Sequence, residues 1–580
     1  MLLSPLITIV LVYIYYNALA LAEVLIVEIE SGFILGKVKY TRLGRTVFGF
    51  EGIPYATPPV GPLRFQEAQP VKPWLGVWNA TEPGSKCIQY DHGTYVIQGE
   101  EDCLYVNVYT PKLPGKDNPQ NRSLDVLVFI HGGAFMFLEG SGYQPDFILD
   151  KDIILVTFNY RLGAIGFFST GDHVVSGNNG LKDQVQALKW VNRNIRYFGG
   201  DPDKVTISGM SAGGASVNYH MLSPMSKGLF QKVFSQSGTA LCPWTVTENV
   251  PEKSATIGAY LGCPTNLSTD LVACLSTRPA KKIVEAAKLF MPFKFNPYSP
   301  FGPIIESPDS LTPFITEHPY RILAKGEGAN VPWLASFTTH EGLYPGSEFI
   351  NDDNLLKYID EHWNEVIPHI LDYNNTIPHS RLNEVSQRIR KEYMGDKPLV
   401  KGDTTEFIKM IGDRLFVADI VKAARIQAQS VSSPVYMYQF GYRGHHSLTE
   451  IFAKSTENYG ASHADDTAYA LRNIYTNVED TEQDKSLVPT MVEIWTSFAI
   501  NGVPTTGDIS IDWKPLSKEA NITAVPFLKI ASPDDIYMKA AEDLGKLRFW
   551  DSLEFNENER YSLYKNHIGC KSGETCYTIS

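Results

Sequence analysis

"VTISGMSAGGASV", Val205–Val217, sets one serine among small residues directly after a β-branched run. Glycine weakens any helix or strand that it occupies. Two glycines placed two residues before and two after Ser211 therefore point to a requirement of the backbone itself. Gly209-Met210-Ser211-Ala212-Gly213 is a G-x-S-x-G sequence. The β-branched run in "VTIS" predicts a buried strand, and "ASVNYHML" can begin a helix. A strand–turn–helix elbow strains the serine backbone, and glycines remove the clashes that bulkier neighbours would make. The hydroxyl of Ser211 is then held up at the strand end, with the Ala212 N–H directed to the same space.

Working outward, "VLVFI" (126–130), "IILVTF" (153–158) and "WLASF" (333–337) are apolar runs without alternation. Such runs suit strands covered on both faces, as in a parallel sheet. Between two of them, Val185, Leu188, Val191, Ile195 and Phe198 recur at spacings of three and four. They mark one apolar helix face, predicted to begin near Asp183 and to stop at Gly199-Gly200. Strand, helix and strand in succession imply βαβ units. "VLIVEI" (24–29) and "CLYVNVY" (103–109) are separated by turn-rich sequence, which predicts an antiparallel start to the sheet. "IPYATPPVGPLRF" (53–65) reads as irregular, since proline is excluded from central strands.

The chain has 580 residues, 43% of them hydrophobic, and a net charge of −13. This is ample material for a large core, and the acidic balance argues against a nucleic-acid partner. Residues 1–22 are a different material: an uncharged apolar stretch ending in Ala-x-Ala sites reads as a secretory signal peptide rather than a retained membrane anchor. Five Asn-x-Ser/Thr sequons, at Asn79, Asn121, Asn266, Asn374 and Asn521, are glycosylation candidates in an exported chain. Of seven cysteines, Cys87 and Cys103, and Cys263 and Cys274, are close enough in sequence to close short loops worth about 3 kcal/mol each. Cys570 and Cys576 form a third candidate pair, leaving Cys242 over; sequence alone fixes none of these pairings. No retention signal or hydrophobic lipid-anchor tail ends the chain, which predicts release.

"VFIHGGAF" (128–135) also follows a strand, and its small residues free backbone N–H groups to approach a ligand. An acyl-transfer site needs such donors for its oxyanion; losing one costs about 10²- to 10³-fold. His131 reads as packing behind this loop. A serine hydroxyl also needs an imidazole to take its proton, in the chain order Ser, acid, His. Ten histidines follow Ser211. His463, in "YGASHADDTAYAL", has the small neighbours of a loop at a strand end. His445-His446, after "VYMYQF", is the rival. Glu341, just beyond "WLASF", is a lead for the acid.

"EDCLYVNVYTP" (101–111), "NYRLGAIGFF" (159–168), "GNNGLKDQVQALKWV" (177–191), "FGGDPDKVTISGMSAGGASV" (198–217) and "THEG" (339–342) together resemble the type-B carboxylesterase family, and its insect carboxylesterases most. The resemblance runs from about Val24 past Trp550. It implies an α/β-hydrolase fold: a central, mostly parallel sheet with antiparallel N-terminal strands and helices on both faces, forming a single domain over 23–580. It further implies Ser211 as nucleophile, Glu341 as acid and His463 as base, the last through Gly460, His463, Asp465 and Asp466 of a G-x-x-H-x-D-D pattern. Gly133, Ala134 and Ala212 match the oxyanion donors, although the family usually has a third glycine at Ala134. Cys87–Cys103 and Cys263–Cys274 match its disulfides. Arg64 with Glu101 and Arg161 with Asp183 match its internal ion pairs.

These features predict a secreted serine carboxylic-ester hydrolase that forms an acyl-enzyme on small to medium apolar esters. No CxxC, HExxH or phosphate loop occurs, so no metal or cofactor is expected, and the expected partner is a small-molecule ester. Residues 88–102 carry no tryptophan to stack on a choline cation, as cholinesterases do. Met210 departs from the Gly-Gln-Ser-Ala-Gly usual in juvenile hormone esterases, which stay an alternative. A slow-turnover scavenger of esters or organophosphates is another. A non-catalytic adhesion relative is disfavoured because all three triad residues are in place and no late apolar run reaches membrane-spanning length.

Overall fold

The computed structural model describes residues 25–115, 124–519 and 523–556. At its centre is an eleven-stranded sheet. Its strands, numbered in chain order, are β1 (Lys37–Tyr40), β2 (Thr46–Pro54), β3 (Tyr105–Thr110), β4 (Leu124–Ile130), β5 (Ile153–Phe158), β6 (Gly200–Met210), β7 (Lys232–Gln236), β8 (Trp333–Thr338), β9 (Val435–Phe440), β10 (Val525–Ser532) and β11 (Asp535–Ala541). Across the sheet they lie in the order β1-β2-β3-β5-β4-β6-β7-β8-β9-β10-β11. The run from β5 to β10 is parallel throughout. The N-terminal strands β1, β2 and β3 and the last strand β11 pair antiparallel. This is the mostly parallel α/β sheet with an antiparallel start that the sequence predicts.

The unbroken apolar runs have a direct cause. Along β4, Val126, Val128 and Ile130 enter one core while Leu127 and Phe129 enter the other. In β5, Ile154, Val156 and Phe158 face the first core, and Ile153 and Leu155 the second. Both faces pack into apolar cores, so polar positions are few: Asp125 near the start of β4 and Thr157 near the end of β5. Trp495, on a long helix (Glu482–Asn501), packs edge-on against Phe234 of β7 at 5.1 Å and seals the second face.

Two boundaries differ from the sequence reading. The helix expected from Asp183 starts four residues earlier and spans Asn179–Asn194. "GNNG" reads as a turn, and one is present: Asn178 has φ 56°. Its side-chain amide is used elsewhere, donating to the Ile304 carbonyl and accepting from the Ile304 N–H, both at 2.9 Å. Gly180 then allows the helix to lie against the Arg161 carbonyl, which a Cβ would meet at 2.6 Å. At the other end, Gly199 reverses the chain at φ 88°, and Gly200 already belongs to β6. The second difference is in the proline-rich segment, whose first residues, Ile53 and Pro54, close β2 opposite Val106 and Tyr105. A proline at a strand end forfeits no ladder donor.

The ion pairs named from sequence are buried struts. Arg161 grips Asp183 through Nε and Nη2, both at 2.7 Å, with both side chains almost fully buried. Arg64 holds Glu101 through Nε at 2.5 Å and Nη2 at 2.8 Å. Cys87–Cys103 and Cys263–Cys274 are disulfide-bonded. Cys242 is a buried free thiol whose pKa burial pushes up to about 12, so it stays protonated and inert. The signal segment 1–22, Cys570 and Cys576 lie outside the described residues.

Candidate active site

Ser211 stands between β6 and a helix spanning Ala212–Leu222, at φ 60° and ψ −120°. A non-glycine residue in this region costs about 1–3 kcal/mol and persists only where the surroundings over-determine it. They do so here. The Ser211 N–H donates to the Gln236 carbonyl at 2.7 Å. A Cβ on Gly213 would lie 2.0 Å from the Ile130 carbonyl oxygen, and one on Gly209 would lie 2.5 Å from the Gly213 backbone. The flanking glycines are therefore steric necessities of the elbow.

Glu341 follows β8, and His463 lies in the loop after β9. The two meet: His463 Nδ1 is 2.6 Å from Glu341 Oε2, and both side chains are buried. The other carboxylate oxygen, Oε1, accepts from the Thr338 N–H at 2.7 Å and from the Ser237 hydroxyl at 2.6 Å. The acid is thus fixed by three contacts, and the imidazole proton is drawn to Nδ1. Nε2 is left with a free lone pair and no hydrogen-bond partner among the described residues. Phe416 (centroid distance 4.4 Å) and Tyr344 (5.5 Å, rings 20° apart) pack against the imidazole.

Gly133 (φ 92°), Ala134 (φ 55°) and Phe135 (φ 59°) follow β4 in a turn of positive φ. A Cβ on Gly133 would meet the Phe137 carbonyl at 2.0 Å, and one on Gly132 the Met210 carbonyl at 2.6 Å. The loop can approach Ser211 this closely only without those side chains. His131 does pack behind it. Its ring stacks on Tyr160 at 4.4 Å, Nδ1 lies 2.9 Å from the Gly132 carbonyl, and burial lowers its pKa to about 4.

Ser211, His463, Gly133 and Ala134 all line one cavity of about 220 Å³. Its walls are mostly apolar, with Phe137, Met210, Tyr344, Leu448, Ile451 and Phe452 among them. Asp91, Gly93 and Thr94, inside the Cys87–Cys103 loop, reach the same space. A small apolar group fits such a cavity, and a carbonyl beside Ser211 would share it with His463. The rival pair His445-His446 is elsewhere: His446 is held by Glu450 and Asp480 near the surface.

Sequence reasoning gave no role to three contributors. Ser237, at φ 49°, donates to the acid from the turn after β7; its one signal is a small polar residue ending a buried strand. Asp465 accepts from the Ser462 and Leu448 N–H groups at 2.8 and 3.0 Å and from the Ser447 hydroxyl at 2.8 Å, tying the His463 loop to the cavity wall. Asp466 accepts from the Tyr438 hydroxyl at 2.7 Å. Burial raises the pKa of Asp465 to about 7 and of Asp466 to about 6, the second helped by the Glu341 charge. Among the sequons, Asn79 and Asn266 are exposed and Asn374 is half-buried, while Asn121 and Asn521 lie outside the described residues.

Comparison with known proteins agrees with this geometry. A family model described as "Carboxylesterase family" matches residues 23–550. Esterase E4 of Myzus persicae is 47% identical over 498 residues, covering 85% of this chain and 89% of that protein. A carboxylic ester hydrolase of Bombus ignitus is 43% identical over 542 residues, covering 92% and 95%. Juvenile hormone esterase of Tribolium castaneum is 36% identical over 544 residues, covering 90% of each. The crystal structure of juvenile hormone esterase from Manduca sexta, with OTFP covalently attached, superposes with a TM-score of 0.78 at 28% identity, covering 91% of this chain and 99% of that one.

Proposed function

The chain belongs to the carboxylesterase family, and from that premise we propose that it hydrolyses small to medium apolar carboxylic esters through an acyl-enzyme on Ser211. That it is a carboxylic-ester hydrolase follows from the family itself and from relatives such as esterase E4. The assignment of the steps rests on one observation above the others: a buried imidazole with Nδ1 pinned to Glu341 and Nε2 unpartnered, in the cavity that holds Ser211.

In the proposed reaction, His463 Nε2 takes the proton of the Ser211 hydroxyl as Oγ attacks the ester carbonyl. The carbonyl oxygen becomes an oxyanion, stabilised by the N–H groups of Gly133, Ala134 and Ala212. The C–O bond to the alcohol breaks, and the imidazolium returns its proton to the departing alkoxide. Water, deprotonated by the same nitrogen, then attacks the acyl carbon; the acyl–Oγ bond breaks, the imidazolium returns its proton to Ser211 Oγ, and the acid is released. Glu341 holds the imidazole in the required tautomer and stabilises its cation. These steps use protein groups and water alone.

Replacing Ser211 by Ala tests the scheme with p-nitrophenyl acetate. Loss of about 10⁵-fold or more in kcat is expected where a triad acts as a unit. Retained turnover would overturn the assignment. Hydrolysis of juvenile hormone is a second reading, supported by the likeness to juvenile hormone esterases of Tribolium castaneum and Manduca sexta and opposed by Met210 in the elbow. A series of esters of increasing chain length separates the two. An initial burst of one equivalent with no steady rate would favour a scavenger instead.

The same reading places the protein outside the cell. The uncharged apolar leader 1–22 and the two disulfides support export. No helix among the described residues is long and apolar enough to cross a membrane. Exposed Asn79 and Asn266 are the sequons best placed to carry glycan.

A further inference from the structure

His445 and His446 take no part in the reaction above. We propose that they form, with Asp480, a surface site for one divalent transition-metal ion of the zinc class. One ligand atom from each of the three residues lies within 4.8 Å of the others. Two imidazoles and a carboxylate are the borderline ligand set that suits zinc, copper and nickel.

The finer geometry points the same way. His446 Nε2 lies 2.7 Å from Asp480 Oδ2, so the two share a proton. Metal–ligand bonds of about 2.0–2.2 Å at a tetrahedral angle place such donors about 3.4 Å apart. An ion replacing that proton therefore asks the pair to open by less than 1 Å. His445 and Asp480 are exposed, and the rings of the two histidines stand nearly perpendicular, 82° apart.

The other nitrogen of His446 supplies the second, independent observation. Nδ1 faces Glu450 Oε2 at 3.2 Å. A ligating histidine whose remaining N–H is held by a carboxylate is the usual outer arrangement of a metal site, fixing the tautomer and raising ligand basicity. Glu450 is itself anchored, accepting from the Ser447 N–H at 3.3 Å and from Arg443 Nη2 at 3.4 Å. Asp480 Oδ1 accepts from Asn477 at 2.5 Å, and the His445 N–H donates to Asp484 at 3.1 Å. Both halves of the site are thus tethered before any ion arrives.

The ion would join the segment before the last long helix to the loop that carries the cavity wall. Leu448, Ile451 and Phe452 lie two to six residues beyond His446 and face the Ser211 cavity. Ser447 holds Asp465, two residues from His463. Binding here stiffens the wall without touching the reacting groups.

The test uses tag-free, chelator-treated full-length protein titrated with zinc chloride alone by isothermal calorimetry. One ion per chain with a micromolar Kd is expected, with a rise in melting temperature as zinc is added. His446→Ala and Asp480→Asn should each weaken binding by at least the cost of losing an outer-shell partner, about ten- to a hundredfold. Both variants should keep wild-type ester turnover, which shows that they are folded. Cobalt(II) should give visible absorption bands in the wild type and lose them in His446→Ala. No saturable uptake by the wild type, or binding unchanged in both variants, would overturn the site.

Discussion

Replacing Glu341 by Gln changes one oxygen for an NH₂ group, and the structure dictates how the amide must sit. Oε1 receives two donors, the Thr338 N–H and the Ser237 hydroxyl. The glutamine carbonyl must occupy that position, which leaves the NH₂ facing His463 Nδ1, 2.6 Å away in the wild type. Nδ1 must then accept, so the ring proton moves to Nε2 and the base loses its lone pair at the point where Ser211 needs it. Restoring the working tautomer requires the amide to flip and set NH₂ against two buried donors. At about 1–3 kcal/mol for each group left unsatisfied, this costs about 2–6 kcal/mol, or about 30-fold to 10⁴-fold in population. The lost support of the imidazolium adds to it, as in serine proteases, where the corresponding amide costs about 10⁴. We therefore expect kcat for p-nitrophenyl acetate to fall about 10³- to 10⁴-fold, with KM within a few-fold and a melting temperature close to wild type, because the amide is isosteric. A folded variant within about tenfold of wild-type kcat would refute the tautomer argument.

Gly213→Ala puts a methyl 2.0 Å from the Ile130 carbonyl; it should destabilise by about 3 kcal/mol or more, read as a lower melting temperature or loss of soluble protein, and a wild-type melting curve would contradict the elbow geometry. Asp465 has a folded pKa raised to about 7 against an ordinary value of 3.8. The neutral form is favoured on folding, so its contribution is complete below about pH 4 and lost as pH rises through about 7. Melting temperature should accordingly decline across that window, and Asp465→Asn should flatten the decline; an unchanged slope would count against it. Arg161→Ala strands the buried Asp183 charge and should cost about 3–5 kcal/mol in denaturant unfolding, while a change under about 1 kcal/mol would show that water reaches the pair.

The sheet was legible because its strands are covered on both faces, and the apolar runs 126–130 of β4 and 153–156 of β5 are unbroken. The elbow was legible because Gly209 and Gly213 answer a steric demand that no other residue meets. The base was not legible from spacing alone. His463 and His445-His446 both follow β9, and only tertiary contact separates a histidine against Glu341 from one against Glu450 and Asp480. Resemblance, not pattern, chose between them. Ser237 escaped for the same reason: it acts on Glu341, 104 residues further along the chain. The early start of the helix at Asn179 was hidden because "GNNG" serves as both turn and first helical residues.

The parallel run of β6, β7, β8 and β9 also acts as a ruler. Adjacent strands stand about 4.8 Å apart, so the segments leaving β6 and β8 emerge two steps from one another whatever happens at the opposite edge of the sheet. Met210 is level with Gln236, which is level with Ser336, which is level with Tyr438. The proposed nucleophile, acid and base are therefore delivered at graduated marks of one rigid scale. Insertions in the connections that enter these strands can be absorbed without disturbing the marks. A single residue added between Thr338 and Glu341 cannot, because nothing downstream can reset the offset.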